Sequence, residues 1–327
     1  MMKNNKNRVK KVKNVEFKEI LVEKSDYLER LKYLKDPARK LYFYGRIPEF
    51  SGKLGANPRF PAEKEGRPRT VAIVGARKMT AYGETWAFKF ARELAEAGVI
   101  IVSGMALGID TAAHKGALAG GGRTIAFLGT PIDKVYPAEN KELFREILEK
   151  GGAVLSEYAP GEDLGPKLKT NSFLNRNRLI SGISDAVIIV EADLRSGSLN
   201  TASHALEQGV PLFAIPGDLS RQMSRGCNQL FNKGASAITC VEDILNAVLP
   251  GSIRHQKAQK IELFGSTPDE TEILRILAKG TTSGEEILEE IQKKESKFDI
   301  SRFNIAITML EIRGIVKREY GNQWILS

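Results

Sequence analysis

From residue 70 onward the chain alternates between two kinds of segment. Short apolar runs, most of them β-branched, recur as "TVAIVG", "VIIVSG", "TIAFLG", "AVLSE", "AVIIVEA" and "VPLFAIPG". Between them stand helix-length amphipathic stretches such as "GETWAFKFARELAEAG" and "NKELFREILEKG". Parallel strands need a long crossover, and the crossover helix covers the sheet. Apolar runs alternating with helices therefore predict an α/β domain whose parallel sheet is buried on both faces. The pattern continues to about residue 249.

The flanks follow other rules. Residues 15–50 predict short helices around "YLERLKYLKDPARKLYFYG". Residues 51–69, rich in glycine, proline and charge, predict a linker or long loop. Residues 1–14 carry six basic side chains and no acid, and are expected to be a disordered arm. A nucleic-acid contact and an idle tail both remain open for it. Residues 250–266 read as a second linker. Beyond them, "TPDETEILRILAKG" has Pro268 near a helix start and Gly280 past its end. "SGEEILEEIQKK" and "DISRFNIAITMLEIRG" predict two further helices, and "IVKREYGNQWILS" a hairpin turning at Gly321–Asn322. Three helices and a hairpin predict a winged-helix domain over 267–327. Its third helix, 299–313, is nearly neutral, with Arg302 and Arg313 offset by Asp299 and Glu311. A protein-binding or structural wing is thus as open as DNA readout.

Composition narrows the classes. The 327 residues are long enough for two domains, and 42% hydrophobic with 27% charged residues is ordinary for a globular chain. No apolar run approaches the roughly 20 residues that span a bilayer, and the N-terminus lacks the apolar segment of a signal peptide. Only Cys227 and Cys240 are present, without CxxC spacing. That points to a reducing cytoplasm and away from structural zinc. The net charge of +9 favours a polyanionic partner.

The candidate chemistry lies where such sheets bind ligands, at the carboxyl ends of the strands. In "VGARKMTAYG", Gly75 permits a tight turn, Arg77 and Lys78 offer cationic donors, Thr80 a hydroxyl, and Gly83 opens the next helix. The stretch reads as a phosphate-holding turn or as a plain β–α turn with a surface arginine. In "VSGMALGIDTAAH", Gly104 and Gly108 permit close approach, and Asp110 is expected to cap a helix with His114 one turn on. A general-base pair is the bolder reading, and a cap with a packed histidine the plainer one. "NSFLNRNRLISG" puts Arg176, Asn177 and Arg178 near a helix start. "EADLRSGSLNTASHALEQG" places Ser196, Gly197 and Ser198 before a helix that Asn200 or Thr201 is expected to cap. One such loop holds one phosphate, whereas several in a row suit a chain of them.

Absences matter too. "GALAGGGRT" fails as a P-loop because Gly122 stands where lysine is required. There is no complete GxGxxG fingerprint, and no Ser/His/Asp or paired-carboxylate constellation stands out. No cofactor is expected.

Taken together, "VAIVGARKMTAYG", "IVSGMALGIDTAAHKGAL", "GGRTIAFLGTPIDKVYPAEN", "NRNRLISG", "VIIVEADLRSGSLNTASHALEQG", "FAIPGD" and "SRGCNQLFNKGA" resemble the DNA processing protein A (DprA/Smf) family over roughly residues 70–245. The resemblance implies an extended Rossmann-like fold and sequence-independent single-stranded DNA binding. It also implies homodimerisation and loading of the RecA recombinase onto incoming strands during natural transformation, with no catalytic reaction. Many members end in a winged helix. Carried over by motif, the DNA site comprises Arg77, Ser103, Gly104, Arg176, Asn177, Arg178 and Ser196–Ser198. Members often carry lysine after the Tyr-Pro pair; here Ala138 follows Tyr136–Pro137, and Lys141 is the candidate substitute. Leu174 stands where many members have proline. The expectation is that Arg176 and Arg178 face the strand ends, so that phosphates run across Arg77, the Ser-Gly-Ser loop and both arginines while bases point outward. Arg77→Ala and Arg178→Ala are then expected to weaken binding with the fold intact. The alternative is a nucleoside monophosphate phosphoribohydrolase-like enzyme. That group carries a "PGGxGT" loop with a downstream glutamate; here "RSGSLNTASHALE", with Glu207, lacks the Pro-Gly-Gly.

Overall fold

The structure is a computed structural model describing residues 16–48, 67–249, 266–278, 280–318 and 323–326; of residues 166–170 and 326 only the backbone is described. The basic arm at 1–14, the loop at 51–69 up to residue 66, the linker at 250–266 up to residue 265, and the Gly321–Asn322 turn lie outside the described residues. The chain divides into two compact units, Met1–Leu249 and Pro250–Ser327.

Among the described residues 16–48, helix is limited to two 3-10 turns, Val22–Lys24 and Glu29–Tyr33. The rest of that stretch supplies β1 (Lys18–Leu21) and β2 (Lys40–Gly45). Pro37 disfavours helix at the residue before it, and the aromatic "LYFYG" suits a pleated, partly buried strand. The apolar runs form β3 (Thr70–Val74), β4 (Ile100–Ser103), β5 (Thr124–Phe127), β6 (Ala153–Ser156), β7 (Ala186–Ile189) and β8 (Leu212–Ala214), and Ser236–Ala237 adds β9. One sheet orders them β1-β2-β6-β5-β4-β3-β7-β8-β9. β3 to β9 run parallel, β2 pairs antiparallel with β6, and β1 antiparallel with β2. This is the extended Rossmann-like sheet, with its edge built from residues before 70.

Helices cover both faces: α1 (Ala81–Glu96), α2 (Ile109–Ala119), α3 (Lys141–Glu149), α4 (Gly165–Ile183), α5 (Ser198–Gln208), α6 (Gln222–Phe231) and α7 (Val241–Val248). The pleat sends alternate residues to opposite cores. Val71 and Ile73 of β3 pack with Phe90, Leu94, Ile109 and Ile244, from α1, α2 and α7. Ala72 and Val74 pack with Leu31, Leu179, Ile183, Ala202 and Leu230, below the second 3-10 turn, α4, α5 and α6. Both faces being buried explains why the strands read as continuous apolar runs.

The second unit contains α8 (Pro268–Ala278), α9 (Gly284–Gln292), α10 (Ile300–Ile312), and the antiparallel pair β10 (Val316–Arg318) and β11 (Trp324–Leu326). Asp299 caps α10 by accepting from the Arg302 N–H at 2.9 Å. Ile273, Leu277, Ile287, Phe303, Leu310 and Trp324 meet in its core. Two arginines at its third helix meet carboxylates: Arg302 pairs with Asp269 and Glu295, and Arg313 with Glu270.

Candidate nucleic-acid interface

The parallel sheet changes direction at β3. From β3 the chain builds outward through β4, β5 and β6, and from β7 it builds the other way through β8 and β9. The loops leaving β3 and β7 therefore diverge and open a crevice at the carboxyl edge. A cleft of about 390 Å³ occupies that place, lined by Gly75–Lys78, Phe173, Arg176, Asn177 and Arg195–Ser198 among others.

Tight packing fixes the first wall. A Cβ on Gly75 would lie 2.7 Å from Ile109 Cγ1 and 2.9 Å from the Glu191 carbonyl oxygen, so only glycine fits. The Ala76 N–H donates to the Glu191 carbonyl (2.8 Å), and the Ile109 N–H donates to the Ala76 carbonyl (3.2 Å). This anchored turn presents Arg77 and Lys78 to solvent. The Arg77 guanidinium stands 5.4 Å from the Phe173 ring centroid. Arg77, Lys78 and Arg195 form no ion pair among the described residues.

Beneath them lies a buried cation. Arg176, only 5% exposed, donates to the carbonyls of Gly104 (2.6 Å) and Phe127, tying together the ends of β4 and β5. Gly104 makes room for it, since a Cβ there would sit 2.6 Å from the guanidinium. Burial pushes the Arg176 pKa down to about 10, with Arg77 adding and Asp110 opposing, so it remains charged at neutral pH. Asp110 is also buried and accepts from the Gly104 (3.1 Å) and Ala106 (3.3 Å) amides. Burial raises its pKa, against the pull of Arg176 and those amides. Between these two amides Met105 adopts φ 60°, and Asn140 Nδ2 holds its carbonyl at 2.8 Å.

The far wall is the Ser-Gly-Ser loop. Ser196 Oγ and Ser198 Oγ are 2.8 Å apart, and Asn177 Nδ2 reaches the Gly197 carbonyl (3.3 Å) and Asn200 Oδ1 (3.2 Å). No side chain caps α5, so Asn200 and Thr201 do not play the expected part. Two smaller features extend the cleft. Hollows of about 40 and 640 Å³ share Arg77 and Phe173 with it and add Tyr136, the larger also adding Lys134. Tyr136 is 48% exposed and its ring lies 5.5 Å from that of Phe173.

Several sequence-predicted residues stand elsewhere. Arg178 does not line the cleft. One helical step beyond Asn177 turns it to another hollow, where its fork binds Glu157 at 2.7 and 2.8 Å. Its Nε donates to the Asp36 carbonyl at 2.8 Å and faces Asp36 Oδ2 at 3.1 Å. The cationic track across Arg77, Arg176 and Arg178 is thereby corrected: Arg178 ties α4 to the segment before β2. Thr80 caps α1, accepting from the Gly83 amide (3.3 Å) and donating to Glu191 Oε1 (2.5 Å), while Gly83 packs against that same carboxylate. Ser103 is fully buried and donates to the Ile73 carbonyl (2.7 Å). Lys141 begins α3 outside the three hollows. Asp110 and His114 form no dyad. His114 Nδ1 lies 2.7 Å from Thr124 Oγ1, a hydroxyl that donates to the Ile101 carbonyl, and burial lowers the imidazole pKa to about 3. Arg195 and Tyr136 were not among the expected site residues. Their signals were the arginine directly before "SGS" and the aromatic of "VYPAEN".

Residues 60–249, more than half of the chain, match the family model of DNA recombination-mediator protein A. The chain belongs to that family. Protein Smf of Escherichia coli is 46% identical over 175 residues, covering 54% of this chain and 46% of that protein. DNA processing protein DprA of Streptococcus pneumoniae is 45% identical over 175 residues, covering 54% and 60%. The chain thus spans about half the length of such curated relatives. The crystal structure of the S. pneumoniae protein superposes with a TM-score of 0.58 at 36% identity, over 71% of this chain and 75% of its own. DNA processing protein A of Helicobacter pylori, whose structure is described as giving insight into a single-stranded DNA binding mode, gives 0.55 at 34% identity, over 71% and 95%.

Proposed function

We propose that this DNA recombination-mediator family member binds single-stranded DNA without regard to sequence, at the carboxyl edge of its sheet. The observation that carries the reading is the convergence of Arg77, Lys78 and Arg195, none in an ion pair among the described residues, at the cleft that the Ser-Gly-Ser loop lines, with charged Arg176 buried below. Arginine forks and loop amides suit phosphates. The Phe173–Tyr136 surface beside them suits unstacked bases, whose faces are alike enough to be held without reading sequence. The single-stranded DNA binding mode of the H. pylori relative points the same way.

RecA loading and homodimerisation join the reading through the family resemblance. The second unit is proposed as a winged helix, on its three helices, its hairpin and the Ser283–Gln323 bridge. No observation favours the phosphoribohydrolase alternative: Glu207 lines the hollow of Arg178, not the cleft.

The test is fluorescence anisotropy with labelled oligo-dT at several salt concentrations. Arg77→Ala is expected to weaken binding by about tenfold, the worth of one charge-assisted contact. The log–log salt slope should become shallower by about 0.7, for one phosphate released. Unchanged affinity and slope, with unchanged melting, would remove the cleft from the binding path.

A further inference from the structure

A second basic hollow lies at the opposite end of the strands. Arg123 immediately precedes β5 and Arg46 immediately follows β2, so both stand at the amino edge of the parallel sheet. Lys18, which opens β1, and Lys24, from the first 3-10 turn, line the same open hollow of about 890 Å³. All four side chains are exposed, and none forms an ion pair among the described residues. The acid in that lining is Asp26.

The hollow's floor adds an independent sign. Tyr27 lines it, is 1% exposed, and its hydroxyl has no hydrogen-bond partner among the described residues. Behind the ring, 5.9 Å from its centroid, is the buried Arg67 guanidinium, whose Nε and Nη2 are likewise unpartnered. Arg67 and Arg30 share the single carboxylate of Asp185. Two guanidinium groups thus share that carboxylate behind the four surface cations.

We propose that this amino-edge hollow is a second phosphodiester-binding surface, engaging a segment of single-stranded DNA beyond the segment held at the carboxyl edge. The inference rests on the proposed function, and it makes a length-dependent prediction that the cleft alone does not. An oligonucleotide of about 8 residues fills one site of the usual size, whereas one of about 40 can reach both.

The test compares the full-length protein with Lys24→Ala/Arg46→Ala/Arg123→Ala, all at exposed positions, on oligo-dT of both lengths. On the long strand, loss of three phosphate contacts should make the log–log salt slope shallower by about 2 and lower affinity about 100-fold near 0.1 M salt. On the short strand the two proteins should bind alike. A charge-conserving control, Lys24→Arg/Arg46→Lys/Arg123→Lys, should behave as wild type on both, showing that charge and not local folding carries the effect. Equal slopes on the long strand would overturn the proposal, as would an equal loss on both lengths. Failure of the cleft reading shows separately: Arg77→Ala would then leave short-strand binding unchanged while the triple variant still lost long-strand affinity.

Discussion

Replacing Arg178 by alanine separates the roles of two arginines that sit two residues apart in "RNR". Its guanidinium grips both oxygens of Glu157, at 2.7 and 2.8 Å, and also donates to the Asp36 carbonyl. Removing one member of a buried pair costs about 3–5 kcal/mol, because the remaining charge is stranded. Glu157 keeps 19% of its side chain exposed, so partial rehydration reduces that figure to about 2–3 kcal/mol. The Asp36 carboxylate is 74% exposed and adds little. For a unit of this size each kcal/mol moves Tm by about 2–4 °C, which gives a fall of about 4–12 °C. Circular-dichroism melting reads that shift, and anisotropy at a temperature where both proteins are folded reads the affinity. The expected result is a lowered Tm with wild-type affinity and salt slope. Arg178→Lys should also melt early, because an ammonium cannot reproduce the two-pronged contact. A variant that melted normally but bound oligo-dT weakly would refute the assignment and return Arg178 to the DNA path.

Two further outcomes follow from the same geometry. Gly104→Ala puts a methyl 2.6 Å from the enclosed Arg176 guanidinium; it should cost about 1–3 kcal/mol in urea unfolding and weaken oligonucleotide binding, and a neutral result on both would refute the packing argument. Asp185 is buried, which alone would raise its pKa, but Arg30, Arg67 and the Thr70 amide pull it below the ordinary carboxylate value. Its stabilising effect is therefore complete above the unfolded pKa near 4 and is lost as pH falls through the lower folded value. Wild type should lose urea resistance as the pH drops from 4, whereas Asp185→Asn, weaker at neutrality, should lack that component of the slope; parallel profiles would contradict it.

The sheet was legible because both its faces are buried, which forces unbroken apolar runs that no surface strand would show. The switch-point cleft followed from glycines whose need is local: Gly75 and Gly104 each face an atom that leaves no space for a Cβ. β1 and β2 escaped notice because they form the partly exposed edge, where "KEIL" and "KLYFYG" mix charge with aromatics and lack the signature of the buried strands. Arg178 was misplaced because motif spacing carries no direction: successive helical residues differ by about 100° in azimuth, so Arg178 turns away from the cleft that Arg176 and Asn177 line. Thr80 and Ser103 sit at the right strand ends, but their hydroxyls are consumed by Glu191 and the Ile73 carbonyl, partners remote in sequence. Tertiary competition for a donor leaves no trace in a local motif.

Arg176 has a further consequence. Mobile ions crowd around surface cations and mask them beyond about 10 Å at 0.1 M, but they do not enter a close-packed interior. Brine would quench Arg77, Lys78 and Arg195 first, leaving the enclosed Arg176 charge, offset in part by Asp110, under the crevice floor. Any polyanion lodged there would meet a part of the attraction that dilution and concentration of electrolyte barely alter, a grip built into the scaffold and not lent by its surface.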